Sequence, residues 1–183
     1  MHERRRSHGH TLAELLTVCA VIAIAAVVAV PSAQPVTDVR ADAAAGEVVQ
    51  ALRFARQEAL RSGAVRMLRC DTDRNEVSVY IPDASGAPAT MLTHPLSKMD
   101  YTVNLGQVPA GSNIALTACS FQFADKTTAT AVAFDANGNP VRGTGTGPGP
   151  GAAQTLSSGT IVVGAGNATR TIAIDLTGRV TSS

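Results

Sequence analysis

The chain has 183 residues, 45% of them apolar and only 16% charged, with a formal net charge of +1. It is long enough to bury one core without a disulfide framework and too apolar to be a disordered polyelectrolyte. It also lacks the basic excess of a dedicated nucleic-acid binder, and with two Tyr, four Phe and no Trp an aromatic-lined groove is excluded as its main feature.

Residues 12–30 read LAELLTVCAVIAIAAVVAV, and only Glu14 and Thr17 break the apolar run. As a helix this run is about 28 Å long, close to the hydrocarbon thickness of a bilayer. Arg4, Arg5 and Arg6 precede it. A basic flank before an apolar span places the N-terminus in the cytoplasm and the rest outside. Three readings compete: a secretory signal cut near 31–33, a twin-arginine signal at Arg5-Arg6, and a membrane segment retained after a short leader is removed. Pro31 is a poor cleavage-site residue, and Ser7-His8-Gly9 does not supply the apolar residues that follow a twin arginine. Glu14 favours the third, because a carboxylate in an apolar run is expensive unless it serves a purpose. If cleavage follows Gly9, the new α-amino group of His10 supplies a counter-charge for Glu14, from a neighbouring subunit in a helical assembly.

A second helical pattern starts near Asp38, an N-cap candidate, and stops at Ser62-Gly63. Val48, Leu52, Ala55 and Ala59 form its apolar stripe. Arg53, Arg56, Gln57 and Arg61, with Asp42, Glu47 and Glu58, form a nearly neutral polar face. From Gly63 the period changes to two. Strands are expected over 64–70, 76–81, 100–105, 113–117, 120–124, 131–135, 160–163 and 169–176, with the turn of a hairpin at 164–168. Residues 143–151, GTGTGPGPG, read as a surface loop; Pro148 and Pro150 remove two of the N–H donors that a phosphate-cradling loop needs. The fold class is therefore α+β, a helix followed by antiparallel sheet.

Four stretches resemble known families. Gly9-His10-Thr11-Leu12-Ala13-Glu14-Leu15-Leu16 resembles the type IV prepilin signal, with Glu14 fifth and Pro31 twenty-second counted from His10. His10 stands where that signal usually has Phe, and Ala13 where it has a larger apolar residue. The resemblance implies cleavage by prepilin peptidase between Gly9 and His10, N-methylation of His10, an assembly role for Glu14 and a helix kink at Pro31. The stretch from Ala51 through Ala55-Arg56-Gln57-Glu58-Ala59 to Val65-Arg66-Met67-Leu68 is similar to the GspH/FimT family of minor pilins and pseudopilins. So are Ala133-Phe134-Asp135-Ala136-Asn137-Gly138 and Ile174-Asp175-Leu176-Thr177-Gly178-Arg179-Val180. This implies a leader (1–9), a transmembrane and assembly half of one long helix (10–33), its amphipathic half (34–62) and a small periplasmic antiparallel β-domain (63–183). It further implies a minor type IV pilin, a non-enzymatic subunit of a pilus tip or priming complex, held in the inner membrane and partnered by other pilins. The alternatives are a minor pseudopilin of a type II secretion system and a pilus-borne DNA receptor.

The remaining candidates are few. Cys19 reads as a small packing residue in the apolar run. Cys70 and Cys119 can form a disulfide in an oxidising periplasm; the alternative is two buried thiols. His94 is the one histidine of the β-region and has no nucleophile in register, so no catalytic residue is expected. Asp71, Asp73 and Glu76 read as a solvated turn, and no metal or cofactor is expected. Some FimT-like proteins bind DNA through a C-terminal Gly-Arg-x-Arg motif. The matching positions here are Gly178-Arg179-Val180-Thr181, which keeps Arg179 as a candidate DNA contact and loses the second arginine; the basic stretch Arg53, Arg56, Arg61, Arg66, Arg69 and Arg74 reads first as a solvated face. Removing residues 1–9 takes three arginines and one glutamate from 15 basic and 14 acidic groups, leaving 12 and 13, a net charge of −1. That balance suits packing among proteins better than holding a polyanion.

Overall fold

A computed structural model describes residues 11–29, 34–107, 113–143 and 153–183. The chain divides into two compact units, Met1–Ala33 and Gln34–Ser183. The first contains helix α1 (Leu12–Ala29). The second contains helix α2 (Gln34–Ser62) and eleven strands: β1 (Arg66–Asp71), β2 (Glu76–Pro82), β3 (Pro88–Met91), β4 (Thr102–Asn104), β5 (Ile114–Phe123), β6 (Thr128–Ala129), β7 (Ala131–Phe134), β8 (Pro140–Arg142), β9 (Gln154–Ala165), β10 (Ala168–Ile174) and β11 (Val180–Ser182). The fold is α+β with two helices and antiparallel sheet.

Helix α2 begins earlier than its sequence suggests. Asp38 lies inside it, not at its N-cap, and Pro35 occupies its first turn, where the missing N–H has no helical partner to lose. It ends as expected: Ser62 is the last helical residue and Gly63 follows with φ +64°. The apolar stripe is Ala41, Ala44, Ala45, Val48, Ala51, Leu52, Ala55 and Ala59, all buried. Six of its eight members are alanine, so the helix axis can approach the sheet closely. It packs on β1, β2, β9, β10 and β11.

The strand order is β11-β10-β9-β8-β7-β1-β2-β3, with β4 on β2, β5 on β9 and β6 on β5. The long β9 pairs with β8 at Gln154 and Thr155 and with β10 from Gly159 onward. Along almost its whole length it also pairs with β5. The expected strands 113–117 and 120–124 are one strand, β5, with a register shift between Leu116 and Ala118. The hairpin turn expected at 164–168 tightens to Gly166-Asn167, with Gly166 at φ +59°.

Two links fasten β5 to the β1–β2 hairpin, although these strands are not ladder neighbours. Cys70 on β1 and Cys119 on β5 form a disulfide across a Cα–Cα distance of 6.3 Å. At the other end Asn75, at φ 57° in the β1–β2 turn, uses its side chain as a strand would. Its Nδ2 donates to the Ile114 carbonyl (2.6 Å), and its Oδ1 accepts from Leu116 N (2.6 Å). Phe121, Phe123, Phe134, Leu68, Val77, Ile161 and Ile172 fill the core between.

Candidate functional site

Two regions contain residues with work left over after folding. The first is α1. Thr11 caps it: its Oγ1 accepts from Glu14 N (3.3 Å), and its carbonyl accepts from Glu14 N (3.0 Å) and Leu15 N (3.1 Å). Thr11-Leu12-Ala13-Glu14 thus has the Thr-x-x-Glu spacing of a capping box, with the carboxylate at the positive end of the helix. Thr17 Oγ1 donates back to the Glu14 carbonyl (2.8 Å). Beyond the cap, Leu12, Leu15, Leu16, Val18, Val21, Ile22 and Ile24 are all exposed. So is Cys19, which the sequence suggests as a packing residue. Over residues 12–24 these apolar side chains fall on every face of the helix rather than on one stripe. At 18 residues α1 is about 27 Å long, and among the described residues no helix is long and apolar enough to cross a membrane. Gly9, His10 and Pro31 lie outside the described residues, as does most of the 143–151 segment.

The second region is a cleft of about 520 Å³ between α2 and the β10–β11 turn, lined by Arg53, Arg56, Gln57, Leu60, Arg179 and Thr181 among others. Arg56 builds its floor. Nε donates to the Gly138 carbonyl (3.0 Å) and Nη1 to the Gly178 carbonyl (3.2 Å). Those two glycines occupy equivalent places in two turns of the same design. In Asp135–Asn139, Oδ1 of Asp135 accepts from Asn137 N (2.9 Å) and Asn139 N (2.8 Å). In Asp175–Arg179, Oδ1 of Asp175 accepts from Thr177 N (2.8 Å), Thr177 Oγ1 (2.6 Å) and Arg179 N (3.0 Å). Both glycines have positive φ, +75° at Gly138 and +77° at Gly178. A third copy, Asp83–Ala87, has Gly86 at φ +85° and the same three acceptor bonds at Asp83 Oδ1.

These turns were the signal available for strands that alternation alone does not reveal. Asp83-Ala84-Ser85-Gly86, Asp135-Ala136-Asn137-Gly138 and Asp175-Leu176-Thr177-Gly178 share one spacing, and each is followed by a short strand: β3, β8 and β11 respectively. The carboxyls of Asp83 and Asp175 are held below the usual range, first by the hydroxyls of Ser85 and Thr177 and then by backbone N–H groups. Arg179 is therefore placed by the Asp175 turn, with its side chain in the cleft beside Arg53 and Arg56.

The other sequence candidates serve the fold. His94 Nδ1 accepts from Leu96 N (3.2 Å) and Ser97 N (3.3 Å), and its ring lies 4.6 Å from that of Tyr101, which stacks on Phe54 at 4.7 Å. Desolvation, then the nearby Glu47, pushes the Tyr101 hydroxyl up to about 12. Asp71 Oδ1 accepts from Arg74 N (3.0 Å) within the β1–β2 turn. Arg170 on β10 pairs with Asp42 and, at 3.7 Å, with Asp38, tying β10 to α2.

No curated protein matches the chain in sequence. The minor pseudopilin EpsH from the type 2 secretion system of Vibrio cholerae is similar in structure, with a TM-score of 0.51 and 14% identity over 79% of this chain and 96% of EpsH. The type IV minor pilin FimU of Pseudomonas aeruginosa (strain PAO1) aligns over 84% of this chain and 92% of its own at 17% identity and a TM-score of 0.49. The likeness to EpsH shows a shared fold. The family model described as type II transport protein GspH matches residues 44–178, from the buried face of α2 through the Asp175–Gly178 turn, and the chain belongs to that family.

Proposed function

We propose that the chain is a minor pilin, a structural subunit with no catalytic role. In this reading prepilin peptidase cuts between Gly9 and His10 and methylates His10. Residues 10–33 hold the protein in the inner membrane with the β-domain in the periplasm. The subunit is then drawn into the filament, at its tip or priming complex, with Glu14 neutralising the α-amino group of a neighbour. Family membership supports it, and one observation carries it. Over residues 12–24 the apolar side chains of α1 point to all sides and are exposed, so they need a surrounding of lipid or of like helices. Mass spectrometry of the mature protein tests it: a methylated N-terminus at His10 is expected, and a start near residue 34 refutes it.

A second reading places the same subunit in the pseudopilus of a type II secretion system. The match to the GspH family and the fold shared with EpsH favour it. Deleting the gene separates the two: loss of surface pili with normal protein export supports the pilus, and the reverse supports the pseudopilus.

A further inference from the structure

We propose that the cleft between α2 and the β10–β11 turn is a carboxylate-binding site, and that its occupant is an acidic segment of a neighbouring subunit. The source of the occupant rests on the filament reading above; the chemistry of the cleft does not.

Three guanidinium groups, those of Arg53, Arg56 and Arg179, line this cleft, and no carboxylate does. Elsewhere in the domain Arg61, Arg74, Arg142 and Arg170 each pair with an acidic side chain, whereas Arg40, Arg66 and Arg69 have no ion pair among the described residues and are not gathered in one cleft. Arg53, Arg56 and Arg179 form no such pair among the described residues. Asp175, whose carboxyl feels the Arg179 charge without forming an ion pair with it, has its Oδ1 engaged by three donors of its own turn. Arg56 is half-buried, and among the described residues its partners are the carbonyls of Gly138 and Gly178. Those two bonds fix the plane of the guanidinium. Nη2 has no partner among the described residues, and with a hydrogen of Nη1 it presents the end-on fork that matches a carboxylate. A cation partly withdrawn from water and held without a counter-ion is suited to receiving one.

The shape and charge of the site favour a protein carboxylate over nucleic acid. A volume of about 520 Å³ holds a few side chains, not a duplex. The lining has no aromatic ring on which a base could stack, and Thr181 stands where a second arginine would reach a phosphate. Leu60 offers apolar contact for the stem of a Glu or Asp-flanking residue.

The test is a titration of the full-length protein in detergent with a capped Ser-Glu-Asp-Glu-Ser peptide, beside its Ser-Gln-Asn-Gln-Ser analogue and a short duplex DNA. The acidic peptide should bind saturably and the amide analogue should not. The double variant Arg53→Ser/Arg179→Ser changes exposed side chains that make no structural bond through their guanidinium groups. It should keep the parent melting temperature and weaken the peptide about tenfold, equivalent to ~1.4 kcal/mol. No saturation up to about 10 mM, equal binding of the two peptides, or preference for the duplex each overturns the proposal. The N-terminal mass is an independent readout. A start at His10 without peptide binding removes the cleft site alone. Peptide binding with a start near residue 34 removes the neighbouring subunit as the source.

Discussion

Arg56 on α2 donates Nε to the carbonyl of Gly138 at 3.0 Å, fastening the helix to a turn 82 residues away. Its Nη1 does the same for Gly178, 122 residues away. One side chain therefore sets two hairpin turns against the helix end. Replacing Arg56 by Met keeps its stem and deletes both bonds. It should lower stability by about 2 kcal/mol, since two buried carbonyls lose a charged donor. Arg56→Lys should recover part of this, because an ammonium cannot reach both carbonyls with fork geometry. Equal denaturant midpoints for parent and Arg56→Met would falsify the clamp.

Gly159 on β9 is the second place where the fold depends on one residue. A Cβ there meets Ile174 Cγ2 and comes within 2.6 Å of Phe121 Cδ1. Both neighbours are core residues, with Phe121 fully buried and Ile174 nearly so. Neither can swing into solvent, so Gly159→Ala should cost on the order of 1–3 kcal/mol by overpacking. The costs of Gly159→Ala and Ile174→Ala should be less than additive in the double variant, because alanine at 174 removes the Cγ2 methyl that the new Cβ meets. Thermal melts of the single and double variants check this.

The same glycine explains part of what the sequence hides. Gln154 to Ala165 contains Ser157-Ser158-Gly159, which reads as loop, so only 160–163 stands out as strand. Tertiary pairing overrides that local weakness: β9 has β5 on one edge and β10 on the other, and neighbouring side chains occupy the space that Gly159 leaves. The strands with clean alternation, such as Val77-Ser78-Val79, and the stripe Val48-Leu52-Ala55-Ala59 are legible because burial imposes their period directly. Strands β3, β8 and β11 are only three or four residues long, too short to show any period, and what marks them is the Asp-x-Ser/Asn/Thr-Gly turn before each. For the cleft, the sequence offers the arginines but not their grouping. Arg56 and Arg179 meet only because two hairpins from distant parts of the chain close on one helix.

The Cys70–Cys119 disulfide encloses a separation of 49 residues between strands that share no ladder. In the chain-entropy picture its loss destabilises by roughly 4 kcal/mol. The Asn75 side chain still holds the far end of β5. The variant Cys70→Ser/Cys119→Ser should therefore fold with a much lower denaturant midpoint, and adding Asn75→Ala should cost more than it does in the parent. Additive effects of the two changes would show that the links act separately.

Acid should loosen the turns before it reaches the core. The folded pKa values of Asp83, Asp125 and Asp175 are depressed, in each case first by a hydroxyl of Ser85, Thr127 or Thr177. A depressed carboxyl adds stability that is fully present above its unfolded value of about 3.9 and is lost as pH falls through the folded value. The melting temperature should thus be flat from neutrality down to about pH 5 and fall below about pH 4. Thr177→Val removes the leading cause at Asp175 and should shrink that acid fall. An unchanged profile in this variant would remove Asp175 from the account.

Glu14 presents a separable case, because its backbone and its side chain do different work. The bonds that start α1 run from the Glu14 N–H to the Thr11 carbonyl and Oγ1. Alanine keeps that N–H and is the best helix former, so Glu14→Ala retains the bonds from the cap and removes only the carboxylate. If the carboxylate serves to neutralise a neighbour's amino terminus, the variant should be processed at Gly9/His10 at the parent rate, accumulate in the membrane and be depleted from sheared filaments. Thr11→Val acts in the opposite way: it weakens the cap while leaving the charge in place, and should enter filaments nearly as the parent does. Immunoblots of membrane and sheared fractions measure both. Normal filament levels of Glu14→Ala, or equal loss in the two variants, would show that the helix start matters and the charge pairing does not.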